Sequence, residues 1–157
     1  MSVKAALLVM LGSAAGLGAC GGGVDTALVT RIIDGDTVEL EGGERIRYLM
    51  VNTPETTGGK NECYGSNAVT FNTDLVLNKT VELRYDVERE DQFGRTLAYV
   101  TVEGMEVNRL IVERGFGCVL HIPPNGDDRA AEFEMLEQTA RLSMKGLWGV
   151  CNPIPCN

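Results

Sequence analysis

Residues 28–51 read L-V-T-R-I-I-D-G-D-T-V-E-L-E-G-G-E-R-I-R-Y-L-M-V. Leu28, Thr30 and Ile32 alternate with Val29, Arg31 and Ile33. Val38 and Leu40 flank Glu39, and Ile46, Tyr48 and Met50 alternate with Arg47, Leu49 and Val51. Successive side chains of a strand point to opposite faces, so a period of two reads as β-structure. Gly42-Gly43 between the second and third runs marks a tight hairpin. Two more runs follow: Val81, Leu83 and Tyr85 alternating with Glu82, Arg84 and Asp86, and then Leu97 to Val102.

Between and after these five strands the spacing becomes helical. Ala68, Phe71 and Leu75 share one face, Val107, Leu110 and Ile111 a second, and Phe133, Leu136 and Ala140 a third. Gly115 and Gly146 are placed to end the second and third helices. Five short strands with three helices predict an α+β fold, a five-stranded OB-fold β-barrel carrying three α-helices, over residues 26–150. A chain of 157 residues suits one domain. Its 44% hydrophobic and 23% charged residues exclude disorder, collagen-like repeats and coiled coil for the chain as a whole. With 14 Lys plus Arg against 22 Asp plus Glu, the net charge is −8. Affinity for a polyanion through bulk charge needs many cations, so any phosphate chemistry here must be local.

Residues 1–19 carry Lys4, then an apolar run from Ala5, then small residues, the shape of a secretory signal. The run is shorter than the roughly 20 apolar residues that cross a bilayer. Leu17-Gly18-Ala19-Cys20 resembles the bacterial lipobox. That resemblance implies cleavage before Cys20, lipidation of Cys20, a flexible tether over 20–25, and anchoring of the domain to the cell envelope outside the cytoplasm. Gly21 leans the destination towards an outer membrane where the host has one. A simple signal peptide, with Cys20 an ordinary thiol, is the alternative. Four cysteines remain, Cys63, Cys118, Cys151 and Cys156, an even number that suits two disulfides in an oxidising compartment. The short spacing favours a local Cys151–Cys156 bridge in the 151–157 tail and a long-range Cys63–Cys118 bridge, with the other pairings open. A zinc site has no C-x-x-C pair or companion histidine to support it.

Three patches carry chemistry. Ile33-Asp34-Gly35-Asp36-Thr37 falls between two strands, and a carboxylate there offers hard oxygen to a divalent cation, although Asp and Gly are also what turns use. Arg47-Tyr48-Leu49-Met50-Val51-Asn52-Thr53-Pro54-Glu55-Thr56 places a guanidinium among apolar neighbours and then gathers Asn52, the Thr53 carbonyl and Glu55 where Pro54 fixes the loop. Asp91-Gln92-Phe93-Gly94-Arg95-Thr96-Leu97-Ala98-Tyr99 is a turn leading into a strand.

These three segments, in that order and spacing, resemble the staphylococcal (micrococcal) thermonuclease family from about Val29 to Trp148. Tyr64-Gly65, Val107-Asn108, Pro124-Asn125 and Leu147-Trp148 add support. The resemblance implies a nuclease that hydrolyses phosphodiester bonds of DNA and RNA as a monomer. It implies one Ca²⁺ held by Asp36, Asn52 and the Thr53 carbonyl, Glu55 as general base, and Arg47 and Arg95 as a clamp on phosphate oxygens. Gln92, Phe93 and His121 fall at or near positions that contact substrate in that family.

The departures are informative. Asn52 stands where the family has a second metal-binding Asp, so the site loses one negative charge and weaker Ca²⁺ binding is expected. Gln92 and Phe93 replace a Lys and a Tyr that contact a terminal phosphate, which removes the basis for that end-group preference. A non-catalytic OB-type module binding nucleic acid or another partner is the competing reading. Arg47, Glu55 and Arg95 together oppose it, because a pure binder needs no base beside two clamps.

Overall fold

The computed structural model describes residues 24–156. The leader expected over 1–19 and Cys20 lie outside the described residues. Strand β1 (Asp25–Asp34) starts at the last residue of the expected tether. Its pairing with β2 (Thr37–Leu40) slips between Val29 and Arg31 and again between Ile32 and Asp34. Such bulges bend and twist a strand. The first half of β1 thereby pairs with β5 (Thr80–Arg84) while the second half pairs with β2. The same bulges break the simple alternation read over 28–33, leaving Thr30 and Arg31 both exposed.

β3 (Arg45–Tyr48) joins β2 by the Gly42-Gly43 hairpin, both glycines at positive φ. β6 (Thr96–Val102) pairs antiparallel with β5 and parallel with β3, which closes the five-strand barrel in the order β3-β2-β1-β5-β6, and the two-residue β7 (Met105–Glu106) pairs along β6. Val29, Val38, Ile46, Tyr48, Val81 and Val100 fill its interior and are sealed from solvent. Around the barrel pack α1 (Gly65–Val76), α2 (Val107–Glu113) and α3 (Ala130–Leu142), the three helices expected from spacing. A single turn, α4 (Leu147–Val150), was not expected.

Residues 46–51 form two strands instead of one. The chain turns at Leu49, and Met50 takes φ 64° before β4 (Met50–Asn52) pairs with another short strand, β8 (Cys118–Leu120). A bend here would orphan backbone groups, and Asn108 of α2 satisfies them. Its Nδ2 donates to the carbonyls of Leu49 (2.8 Å) and Ala98 (3.2 Å), and its Oδ1 accepts from the Val100 N–H (2.9 Å). Asn108 is fully buried, where an unpaired amide would be costly. Asn72 of α1 does similar work, accepting from the Tyr48 hydroxyl (2.9 Å) and donating to the Asp34 carbonyl (3.1 Å).

Two further expectations are corrected. Gly115 takes positive φ just past α2, as read. After α3 that place is taken by Met144, whose N–H bonds the Arg141 carbonyl (3.0 Å) while the Lys145 N–H reaches Ala140 (3.0 Å). Gly146 serves a contact instead: a Cβ there would lie 2.1 Å from the Gly115 carbonyl oxygen.

The cysteines pair as Cys63–Cys151 and Cys118–Cys156, not as Cys63–Cys118 and Cys151–Cys156. Leu147 N–H bonds the Gly115 carbonyl (2.9 Å), seating α4 in a cluster of Leu147, Trp148 and Cys151 packed against Tyr64. Cys151 therefore emerges beside Cys63, and the following residues carry Cys156 to Cys118 on β8. Sequence proximity lost to the packing of α4.

The Cys63–Cys151 bridge spans 88 residues. Replacing both of its cysteines with serine should lower unfolding free energy by about 2–5 kcal/mol. Urea denaturation of parent and variant checks this, and equal midpoints would show the bridge to be energetically idle.

Candidate active site

The first patch sits at the barrel's mouth, where β1 hands over to β2. Asp34 and Asp36 are both buried. Gly35 between them touches Thr53 and α1 so closely that a Cβ would lie 2.7 Å from Thr53 Oγ1 and from Ala68 Cβ. Only glycine lets this turn press against the second patch. Asp36 Oδ2 accepts from the Thr53 N–H (2.8 Å) and hydroxyl (3.1 Å), and Oδ1 accepts from the Thr37 hydroxyl (3.0 Å).

Arg47 leaves β3 and stays buried with 8% of its surface exposed. Its Nη1 donates to the carbonyls of Tyr48 (2.7 Å) and Val51 (2.6 Å), and Nη2 lies 3.2 Å from Asp36 Oδ2 and 3.4 Å from Asn52 Oδ1. The break between β3 and β4 brings both carbonyls to one guanidinium. A buried charge must be paired and hydrogen-bonded, and Arg47 is both.

Glu55 stands on the loop after β4. Its N–H donates to Glu62 Oε2 (2.8 Å), the Glu62 N–H returns to the Glu55 carbonyl (3.0 Å), and the Thr57 N–H (2.9 Å) and hydroxyl both donate to its Oε1. Gly65 opens α1 directly under this loop, where a Cβ would lie 2.6 Å from Thr56 Cγ2. The Glu55 carboxyl faces Asp34. Burial, reinforced by that facing carboxyl, raises Asp34 from 3.8 to about 6. The hydrogen bond from Asp34 lowers Glu55 from 4.5 to about 2, with Thr57 contributing. Below about pH 6 the pair therefore shares one proton, held by Asp34.

Arg95 enters from the third patch. Asp91 Oδ1 accepts the N–H groups of Phe93 (2.9 Å) and Arg95 (3.1 Å), while Oδ2 accepts Arg95 Nε (2.7 Å) and lies 2.6 Å from Nη2. Burial would push the Asp91 carboxyl up, but the Arg95 guanidinium and those N–H groups outweigh it and hold it below its ordinary value. Arg47, Gln92, Phe93 and Arg95 all line one cavity of about 300 Å³. Asp36 and Asn52 adjoin it through Arg47, and Thr53 through Asp36. His121 lies off the cavity: its Nε2 is 2.9 Å from Asp127 Oδ1. Its neighbours Leu120 and Ile122 form cavity wall instead.

Sequence reading did not single out Asp34 as the partner of Glu55, Asp91 as the holder of Arg95, or Leu120 and Ile122. The i, i+4 spacing of Asp91 and Arg95 across Gly94 was a readable signal, and period two around His121 was another. The facing of Asp34 and Glu55 had none, since it depends on the loop's return.

Asp34, Asp36, Asn52 and Glu55 offer side-chain oxygens, two of which already face the Arg47 guanidinium. Two facing carboxyls beside a third acid repel one another; a proton relieves this in acid, and a hard cation would relieve it at higher pH. These oxygens are of the hard type that Ca²⁺ takes, but among the described residues no three acids are grouped closely enough to hold a metal ion by themselves.

A closed five-strand barrel with arginines and acids at its mouth defines an OB-type fold with a polar active-site cluster. The sequence model of the staphylococcal nuclease homologues matches residues 45–150. A thermonuclease of Staphylococcus intermedius is 33% identical over 129 residues, covering 79% of this chain and 76% of its own. Endonuclease YncB of Bacillus subtilis is 34% identical over 125 residues, 75% of this chain and 59% of its own. The SPbeta prophage-derived endonuclease YokF of the same organism is 33% identical over 132 residues, 80% of this chain and 44% of its own. The chain thus spans less than two thirds of the two endonucleases and about three quarters of the thermonuclease. It belongs to the staphylococcal nuclease homologue family.

Because Asp34 binds its proton more tightly when folded, the native state holds a proton that the unfolded chain releases between about pH 4 and 6. Stability of the metal-free chain should therefore fall as pH rises through that window. Glu55 acts oppositely, and its contribution fades only as pH drops below about 4.5. Thermal melts should show the pH 4–6 decline in the parent and a flatter profile in Asp34→Asn, whose amide donates permanently. An identical slope in both would refute the shared proton.

Proposed function

We propose that this chain is a Ca²⁺-dependent nuclease that hydrolyses phosphodiester bonds of DNA and RNA outside the cytoplasm. The observation that carries the reading is the convergence of Arg47 and Arg95 on one cavity, with Arg47 locked to Asp36 and the Asp34–Glu55 pair one turn away. Family membership supports it, as do relatives named as thermonuclease and endonucleases.

An anionic diester resists attack because its charge repels nucleophiles and grows on its oxygens in the transition state. Arg47 and Arg95 are the groups that meet that charge. Each presents a planar fork of donors, and Arg47 is held rigid by the Tyr48 and Val51 carbonyls, so little reorganisation is needed. Asp36, Asn52 and the Thr53 carbonyl would hold Ca²⁺, which when bound supplies Lewis-acid polarisation of a phosphate oxygen. Glu55 is the general base that takes a proton from the attacking water. Its low pKa keeps it ionised at neutral pH, and Thr57 and Glu62 fix its loop. Gln92 and Phe93 present the cavity wall to substrate. The signal-like leader with Cys20, and two disulfides, support a lipid-anchored monomer at the cell envelope.

Cleavage of single-stranded DNA and RNA by the full chain, with and without Ca²⁺, tests the reading. Activity should require calcium and fall by at least about a hundredfold in Arg95→Ala, the scale for losing one oxyanion donor, and comparably in Glu55→Gln. Binding without cutting at any calcium concentration would make the chain a binding module instead. Asn52→Asp restores a ligand charge and should lower the calcium needed for half-maximal activity; an unchanged requirement would place Asn52 outside the metal site.

A further inference from the structure

Beyond the two arginines, the cavity beside the clamp contains no cation among the described residues. Its other charged walls are Glu88, Glu90 and Asp91. Arg47 and Arg95 are moreover each paired internally, with Asp36 and Asp91. The remaining wall is largely apolar, from Phe93, Leu120 and Ile122. The acidic segment is held in place: Asn125, itself buried, accepts the Glu88 N–H (2.8 Å) and donates to the Glu88 carbonyl (2.9 Å). The one cation between the two glutamates, Arg89, lies over the Tyr85 ring at 3.7 Å and 3.6 Å from Asp25, and forms no part of the cavity wall.

Resting on the nuclease reading, we propose that this cavity receives an uncharged nucleoside end and that Glu88 and Glu90 reject a terminal phosphate monoester. A cavity of about 300 Å³ is at the small end of the range for ligand pockets, enough for one nucleoside-sized group. Apolar walls suit a base and a sugar. The carboxylates can accept hydrogen bonds from sugar hydroxyls but repel a dianion, and selectivity by like-charge repulsion needs no contact with the favoured ligand. Phosphate chemistry is thereby confined to the clamp: one anionic group is admitted there, and a second at the chain end is turned away.

The test compares kcat/KM of the full chain on three dinucleotides of one sequence: both ends hydroxyl, 5′-phosphorylated and 3′-phosphorylated. A phosphate on the end that enters the cavity should lower kcat/KM by about tenfold, mainly through KM, and the difference should shrink at high salt. In a Glu88→Gln, Glu90→Gln double variant the ratio should fall towards unity. Equal or faster cleavage of both phosphorylated dinucleotides, or a ratio unchanged in the double variant, would overturn this inference alone. No cleavage of any of the three or of longer single strands would remove the nuclease reading and this inference together.

Discussion

A guanidinium cannot be buried without partners, and the arrangement of this barrel's mouth follows from satisfying that of Arg47. Two of its partners are backbone carbonyls, Tyr48 and Val51, which a regular strand would point into its ladder. They reach one side chain because the chain breaks at Leu49 and Met50 takes a left-handed conformation. The third partner is Asp36, and its position depends on Gly35 allowing the first turn to touch Thr53. Strand break, glycine turn and ion pair form one unit, and removing any of them leaves a buried charge exposed to the others' absence.

Three buried asparagines fasten this unit to the rest of the fold. Asn72 ties α1 to the end of β1 and to β3, Asn108 ties α2 across the strand break, and Asn125 ties the loop after α2 and β8 to the acidic segment before β6. An amide carries both donor and acceptor, so each can bridge backbone groups that no ladder serves. Helix packing alone would leave the loops free to slide; the amides fix them in register with the site.

Strand alternation and helical spacing made the barrel and its three helices legible, because burial of one face imposes those periods directly. The three chemical patches were legible as well, and Arg47, Arg95, Gln92 and Phe93 do share a cavity. What was not legible depends on tertiary return. The meeting of Asp34 and Glu55 requires a loop to fold back, the pairing of Cys63 with Cys151 requires α4 to dock beside Tyr64, and α3 ends two residues before a left-handed Met144, ahead of the Gly146 that packs on Gly115. His121 illustrates the converse: a residue notable for its rarity pairs with Asp127 while plain apolar neighbours face the cavity.

The two disulfides interleave along the chain, since Cys118 lies inside the loop closed by Cys63 and Cys151 while Cys156 lies outside it. A peptide bond cut between Cys151 and Cys156 would therefore release nothing: one fragment keeps Cys151 bound to Cys63, and the other remains attached through Cys156 to Cys118. Such a nick would leave the residues around Cys156 covalently fastened to the strand that carries Cys118, without any backbone connection of their own to the rest of the fold.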